Sequence, residues 1–238
     1  MTIVGFTSGT NLCLTLTING FLMNTSSELH EALKDVDLIV CDFGGVLYSI
    51  DFEQTRSAFK AVPGYNHVPI DFGFDNQDEL FVRYDKGDIS TVDFRHALRT
   101  KFGFTADDHA LDAAWCALLL APYDFAKAAV LAMKAVAPTV MLSNINSLHV
   151  NKILPECKDF LPEFLALHFS CRMHKRKPDS EAFQFVCDEH LVQPSRAVMI
   201  DDSQANCDAA AWIGMRTVRI TDEELLREFA SASLARIS

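Results

Sequence analysis

The chain has 238 residues, of which 49% are apolar and 22% charged, the balance of a globular fold with a sizeable core. Its net charge of −11 argues against nucleic acid or an anionic membrane as a partner, because the single basic cluster is His174-Lys175-Arg176-Lys177. Seven cysteines without a C-x-x-C pair point to reduced thiols in a cytoplasmic setting, and no apolar run approaches the roughly 18 residues of a membrane span.

Residues 1–36 form an N-terminal extension. Its first 22 residues hold no Lys or Arg and so lack the charged start of a secretory signal. Leu12, Leu14, Leu16 and Ile18 alternate with Cys13, Thr15 and Thr17, the period of a half-buried strand. The alternative is a start at Met23, with the leader outside the fold.

From Asp37 the pattern turns α/β. Apolar runs at 38–41, 139–142, 165–169, 197–200 and 217–220 read as strands of a parallel sheet covered on both faces. Helices are predicted between the later runs, over 126–137, 178–190 with Pro178 in the first turn, and 203–215 with Gly214 near the stop. Thr221-Asp222-Glu223-Glu224 opens the last helix as a capping box. Residues 52–122 show no clear strand. They carry helical stretches at 91–102 and 107–120 and a turn-rich break at 63–76. The expected fold is a doubly wound parallel sheet, residues 37–51 and 123–238, with a helical cap, 52–122, inserted after the first strand. Such an insertion emerges at the carboxyl edge of the sheet, where ligands of open α/β folds bind.

Polar groups stand at four of these edges. Asp42 follows the first strand, Ser143-Asn144 the second and Asp201-Asp202 the fourth, while Lys177 follows the third. The set suits phosphoryl transfer. A carboxylate can attack phosphorus and split the reaction into two steps, and a lysine with magnesium can neutralise the phosphoryl oxygens. Asp42, Asp202 and a backbone carbonyl offer the hard oxygens that magnesium prefers. Gly44 and Gly45 allow a tight turn that exposes N–H groups to an anion. Taken singly these residues have plainer readings. Asp42 is then a turn residue, Asp201-Asp202 an N-cap, Lys175 and Arg176 a solvated face, and Cys41 core.

Asp42-Phe43-Gly44-Gly45-Val46-Leu47, Leu142-Ser143-Asn144, Arg176-Lys177-Pro178 and Ile200-Asp201-Asp202-Ser203 resemble, in order and spacing, the four motifs of the haloacid dehalogenase superfamily. Residues 142–149 and Lys86-Gly87-Asp88-Ile89-Ser90 look like its small sugar-phosphate phosphatases and the N-terminal domains of soluble epoxide hydrolases. The resemblance implies hydrolysis of a small phosphorylated metabolite through a phospho-aspartate. Asp42 would be the nucleophile. Lys177 would pair with Asp42 and the phosphate. Gly44, Gly45, Ser143 and Asn144 would contact the phosphoryl group. Magnesium would bind Asp42, Asp202 and the Gly44 carbonyl, supported by Asp201 and Asn206.

One position departs from most phosphatases of the superfamily. Gly44 stands where an Asp usually protonates the leaving group, as it also does in the sugar-phosphate subgroup. Water, Asp85 or His149 is then the expected helper, or the leaving group departs unassisted. Two rivals share the fold, a hydrolytic dehalogenase that needs no magnesium and a non-catalytic binding protein.

Overall fold

The computed structural model describes residues 20–22, 26–73 and 76–237. Eight strands are β1 (Gly20–Leu22), β2 (Leu38–Cys41), β3 (Tyr48–Ile50), β4 (Leu119–Pro122), β5 (Thr139–Ser143), β6 (Ala166–Phe169), β7 (Ala197–Asp201) and β8 (Arg216–Arg219). The first five helices are α1 (Ser26–Ala32), α2 (Phe52–Ala61), α3 (Glu79–Asp85), α4 (Thr91–Phe102) and α5 (Asp108–Trp115). Then follow α6 (Ala126–Lys134), α7 (Ser147–Glu156), α8 (Ser170–Met173), α9 (Ser180–Glu189), α10 (Gln204–Trp212) and α11 (Glu223–Ile237).

All five predicted strands lie in one parallel sheet of order β1-β8-β7-β2-β5-β6. Alternate residues serve opposite faces, as the strand period requires. Ile39 and Cys41 of β2 join one core cluster with α6 and α11, and Leu38 and Val40 join a second with Phe183, Val186 and Ala210. The chain leaves β2 on one side for β5 and β6, then returns on the other for β7 and β8. That reversal makes the carboxyl end of β2 the switch point of the sheet, where a crevice forms.

β1 is an addition that the sequence reading does not contain. It pairs with β8 at the sheet edge, and α1 packs on α11. The strand predicted around residues 12–18 lies outside the described residues.

Between β3 and β4 the chain is helical, and local chemistry sets each start. Asp51, Asp78, Ser90 and Asp107 accept backbone N–H groups at the starts of α2, α3, α4 and α5, satisfying donors that a helix leaves unpaired. Gly103, left-handed at φ 75°, ends α4. Three sequence expectations shift. The helix expected over 107–120 stops at Trp115, and Leu119–Pro122 instead pairs antiparallel with β3 at the neck of the insertion. Leu119-Leu120-Ala121-Pro122 is too short and too exposed to alternate visibly. Pro178 stands two residues before α9, whose N-cap is Asp179. The box before α11 is closed by Asp222, which accepts from Glu224 N–H, rather than by Thr221.

Trp115 welds the insertion to the sheet. Its indole is fully buried against Phe72, Phe81 and Phe94 of the insertion, at centroid distances of 4.6, 5.1 and 5.1 Å. On its other side it stacks on His149 of α7 at 4.9 Å. Gly87 brings the same two bodies close, because any Cβ there would overlap the Cys171 carbonyl. Trp115→Ala is expected to cost about 3–5 kcal/mol and to lower Tm by roughly 6–20 °C. A circular-dichroism melt checks this, and a shift under about 2 °C would contradict the role given to the indole.

Candidate active site

β2 delivers Asp42, β5 delivers Ser143, β7 delivers Asp201 and Asp202, and the loop after α8 delivers Lys177. Asp42 N–H donates to the Ile200 carbonyl at 2.8 Å, so the β2–β7 pairing itself sets the Asp42 carboxylate beside Asp201. Lys177 is 1% exposed, and its ammonium lies 2.7 Å from Asp42 Oδ1 and 2.6 Å from Asp201 Oδ2. Burial pulls this lysine down, but Asp201 and Asp42 outweigh it and hold the ammonium above its ordinary range. The charge at this point of the fold is therefore permanent.

Asp201 is saturated. Besides Lys177 it accepts Ser203 N–H and the Asn206 amide on Oδ1, each at 2.9 Å. Asp202 turns toward Gly45. That glycine sits at φ 80°, where a Cβ would overlap the Asp202 carboxylate. One carboxylate oxygen from each of Asp42, Asp201 and Asp202 falls within 4.8 Å of the others. Three carboxylates against one ammonium leave the cluster short of positive charge. Burial, reinforced by the neighbouring acids, accordingly pushes both Asp42 and Asp202 well above the usual carboxylate range. An oxygen-rich donor set with excess negative charge fits a hard divalent cation.

Two sequence-derived contacts need correction. Gly45 was expected to offer its N–H to an anion, but that group donates to the Tyr48 carbonyl at 2.8 Å. The residue is glycine because of the turn and of Asp202. The Asn144 side chain, expected at the phosphoryl group, brackets the Lys177 peptide. Its Nδ2 donates to the Lys177 carbonyl at 2.7 Å, and its Oδ1 accepts the Lys177 N–H at 2.9 Å. Asn144 thus fixes the backbone from which the ammonium springs. Gly44, Ser143 and Asn144 all line the pocket.

The insertion contributes a wall. Asp85, at the end of α3, is buried and faces the same pocket. Burial raises its carboxyl above the ordinary range, against the opposing effects of the Asn146 amide and the Arg176 charge. Asn146 caps α7 and joins four groups. Its amide donates to Asp85 Oδ1 and to His149 Nδ1, and its carbonyl accepts from Trp115 Nε1 and His149 N–H. The residues around Asp85 are those the sequence reading missed. Arg176, expected on a solvated face, turns inward and donates from Nη2 to Gln77 Oε1 at 2.9 Å. Lys175 remains outside, paired with Glu181. Helix-cap chemistry signals Asn146 in the sequence; nothing signals Gln77.

His149 has no free nitrogen for catalysis. Nδ1 accepts from Asn146, and Nε2–H donates to the Trp115 carbonyl at 3.3 Å. Burial lowers it to about 3 from an ordinary 6.5, so the ring is neutral. Between those values the unfolded chain binds a proton that the folded chain refuses. The stability from neutral His149 is therefore complete above pH 6.5 and drains as pH falls toward 3. His149→Gln should flatten the loss of stability between pH 6.5 and 4.5 by up to about 1.4 kcal/mol per pH unit. Urea titrations of both proteins across that window check it, and parallel slopes would refute it.

The family model for haloacid dehalogenase-like hydrolases matches residues 36–214. A curated relative, the D-ribitol-5-phosphate phosphatase of Bacteroides thetaiotaomicron, is 24% identical over 188 residues, which covers 75% of this chain and 89% of the relative. A haloacid dehalogenase family enzyme of the same bacterium, crystallised as an Asp-to-Ala variant with magnesium and inorganic phosphate, superposes with a TM-score of 0.70 at 26% identity. That match covers 76% of this chain and 92% of the other. A HAD-like family hydrolase of Porphyromonas gingivalis superposes with a TM-score of 0.71 at 24% identity, covering 85% and 98%. With a family match that runs from the start of the first central strand to beyond the acidic pair, the chain belongs to the haloacid dehalogenase-like hydrolases.

Proposed function

We propose that the protein is a magnesium-dependent phosphatase acting on a small sugar or polyol phosphate through a phospho-aspartate on Asp42. The observation that carries this is the Asp42, Asp201 and Asp202 cluster closed around the ammonium of Lys177. The ribitol-phosphate activity of a relative and the magnesium and phosphate bound by a neighbour support the same chemistry. A dehalogenase has no use for so concentrated a set of acids.

Lys177 holds Oδ1 of Asp42, which leaves the other carboxylate oxygen for phosphorus. That oxygen forms a bond to phosphorus as the bond to the ester oxygen breaks, and the leaving alkoxide takes a proton from water. A second water then attacks the phospho-aspartate, releasing inorganic phosphate and restoring Asp42. Lys177 stabilises the phosphoryl charge in both steps, and Ser143 faces the same oxygens. Magnesium, held by Asp42, Asp202 and the carbonyl of Gly44, would supply further neutralisation and hold the phosphoryl group in line. Asp201 orients Lys177, and Asn206 orients Asp201. Neither Gly44 nor His149 provides a proton for the leaving group.

Three outcomes follow from these roles. p-Nitrophenyl phosphate should be hydrolysed with magnesium and not after chelation, and chelation should leave no dehalogenation of a 2-haloacid. Chelator-resistant release of halide would favour the rival. Asp42→Asn should lower kcat by at least about a thousandfold. Equal turnover by the variant and the natural protein would end the assignment of a nucleophile. Across a series of phosphate esters, kcat should rise steeply as the leaving alcohol becomes more acidic. A flat series would mean that a protein group donates the proton after all.

A further inference from the structure

Among the described residues, one buried side-chain nitrogen or oxygen has no hydrogen-bond partner. It is Nε of Arg176. A buried donor left unpaired costs about 1–3 kcal/mol, so its persistence in a pocket wall calls for a partner that arrives from outside. Arg176 lines the pocket that also holds Asp42 and Lys177.

Its surroundings define the chemistry of that partner. Arg176 Nη2 donates to Gln77 Oε1 at 2.9 Å, and Gln77 Nε2 donates to Asp85 Oδ2 at 3.0 Å. This orders Gln77 in one sense and links a cation to an anion across a single amide. Asp85 Oδ1 accepts from Asn146 at 3.0 Å, so each carboxylate oxygen has spent one of its lone-pair sites and keeps another. The wall therefore offers a fixed donor, Arg176 Nε–H, and a fixed acceptor, the Asp85 carboxylate. The two charges balance. A second phosphate or carboxylate would meet Asp85 and be repelled, and an ammonium would meet Arg176. A neutral group that both gives and takes hydrogen bonds satisfies the two ends, and a run of hydroxyls does so along a carbon chain.

We infer that Arg176, Gln77 and Asp85 form a hydroxyl-binding subsite that selects a polyhydroxylated leaving group. Arg176 Nε–H donates to one substrate hydroxyl, another hydroxyl donates to Asp85, and Gln77 sets their spacing. This rests on the phosphatase reading and adds to it the residues that recognise the hydroxyls of a sugar or polyol leaving group. Because Gln77 and Asp85 belong to the insertion and Arg176 to the core, the subsite is complete only with the two bodies in contact.

The test compares a five-carbon polyol phosphate with pentyl phosphate, the same chain length without hydroxyls. Calorimetric binding to Asp42→Asn and kcat/KM of the natural protein are both measured with magnesium. The polyol phosphate should be preferred roughly 10- to 100-fold, the scale of one hydrogen bond to a charged group. Arg176→Met should shrink that ratio to under about threefold, with the loss in KM rather than kcat. Asp85→Asn, isosteric and able to keep the shape of the wall, should shrink it as well; melts of both variants report folding. Equal affinity for the two ligands, or equal loss of both in the variants, would overturn the inference. If the natural protein hydrolyses no ester, the phosphatase reading fails, and the binding ratio on Asp42→Asn still decides the subsite.

Discussion

The ammonium of Lys177, locked between Asp42 and Asp201, is the constraint on which the rest of the site depends. It is 1% exposed, and removing the ammonium would leave Asp42 and Asp201 without the cation they share. A buried ion pair adds little net stability over apolar residues, but breaking one costs several kcal/mol. The arrangement is thus maintained for geometry. The β2–β7 pairing sets the two acids side by side, and the Asn144 clamp on the Lys177 peptide sets the distance at which the ammonium meets them. Lys177 offsets part of the charge of its two acids, and Asp202 adds the excess that a cation relieves.

A second polar system crosses from core to insertion without touching the first. From Arg176 it runs through Gln77, Asp85 and Asn146 to Trp115 and His149, alternating donors and acceptors with little freedom to reverse. Networks of this kind are strong when every member is satisfied and expensive when one is not. Here one donor is unsatisfied, and it belongs to a residue that lines the pocket. Arg176 and Lys177 are neighbours in sequence, one in each system. The adjacency puts the proposed leaving-group contact and the proposed phosphoryl contact on one short loop.

Much of this was legible in the sequence. Buried parallel strands advertise themselves as short apolar runs, so β2, β5, β6, β7 and β8 stand where periodicity puts them. A polar residue directly after such a run, as at Asp42 and Asp201, needs a reason that geometry later supplies. Contacts made across the fold were not legible. Arg176 carries the same local signal as Lys175, yet one turns into the pocket and the other pairs with Glu181 at the surface. Gln77 has no local feature at all. Asn144 and Gly45 are read from residue type and motif position, and neither says which partner a side chain or an N–H will find first. β4 failed for another reason. Its strand geometry comes from pairing with β3 and not from any preference of its own residues.

Gly44 lies between the nucleophile and the neck of the insertion. Its backbone is not left-handed, so the turn does not explain it. A Cβ at this position would lie 3.3 Å from Ile50 Cδ1, a tight contact to which the end of the Ile50 side chain would have to yield, and 3.5 Å from Ile50 Cγ2, an ordinary one. Ile50 ends β3, and β3 is tied to β4 at the neck of the insertion. A side chain at position 44 would therefore start against an apolar residue at the neck of the insertion, and an acid there would add a further negative charge to an overloaded cluster. Gly44 therefore stands where the nucleophile meets the neck of the insertion, and it carries no group that can donate a proton.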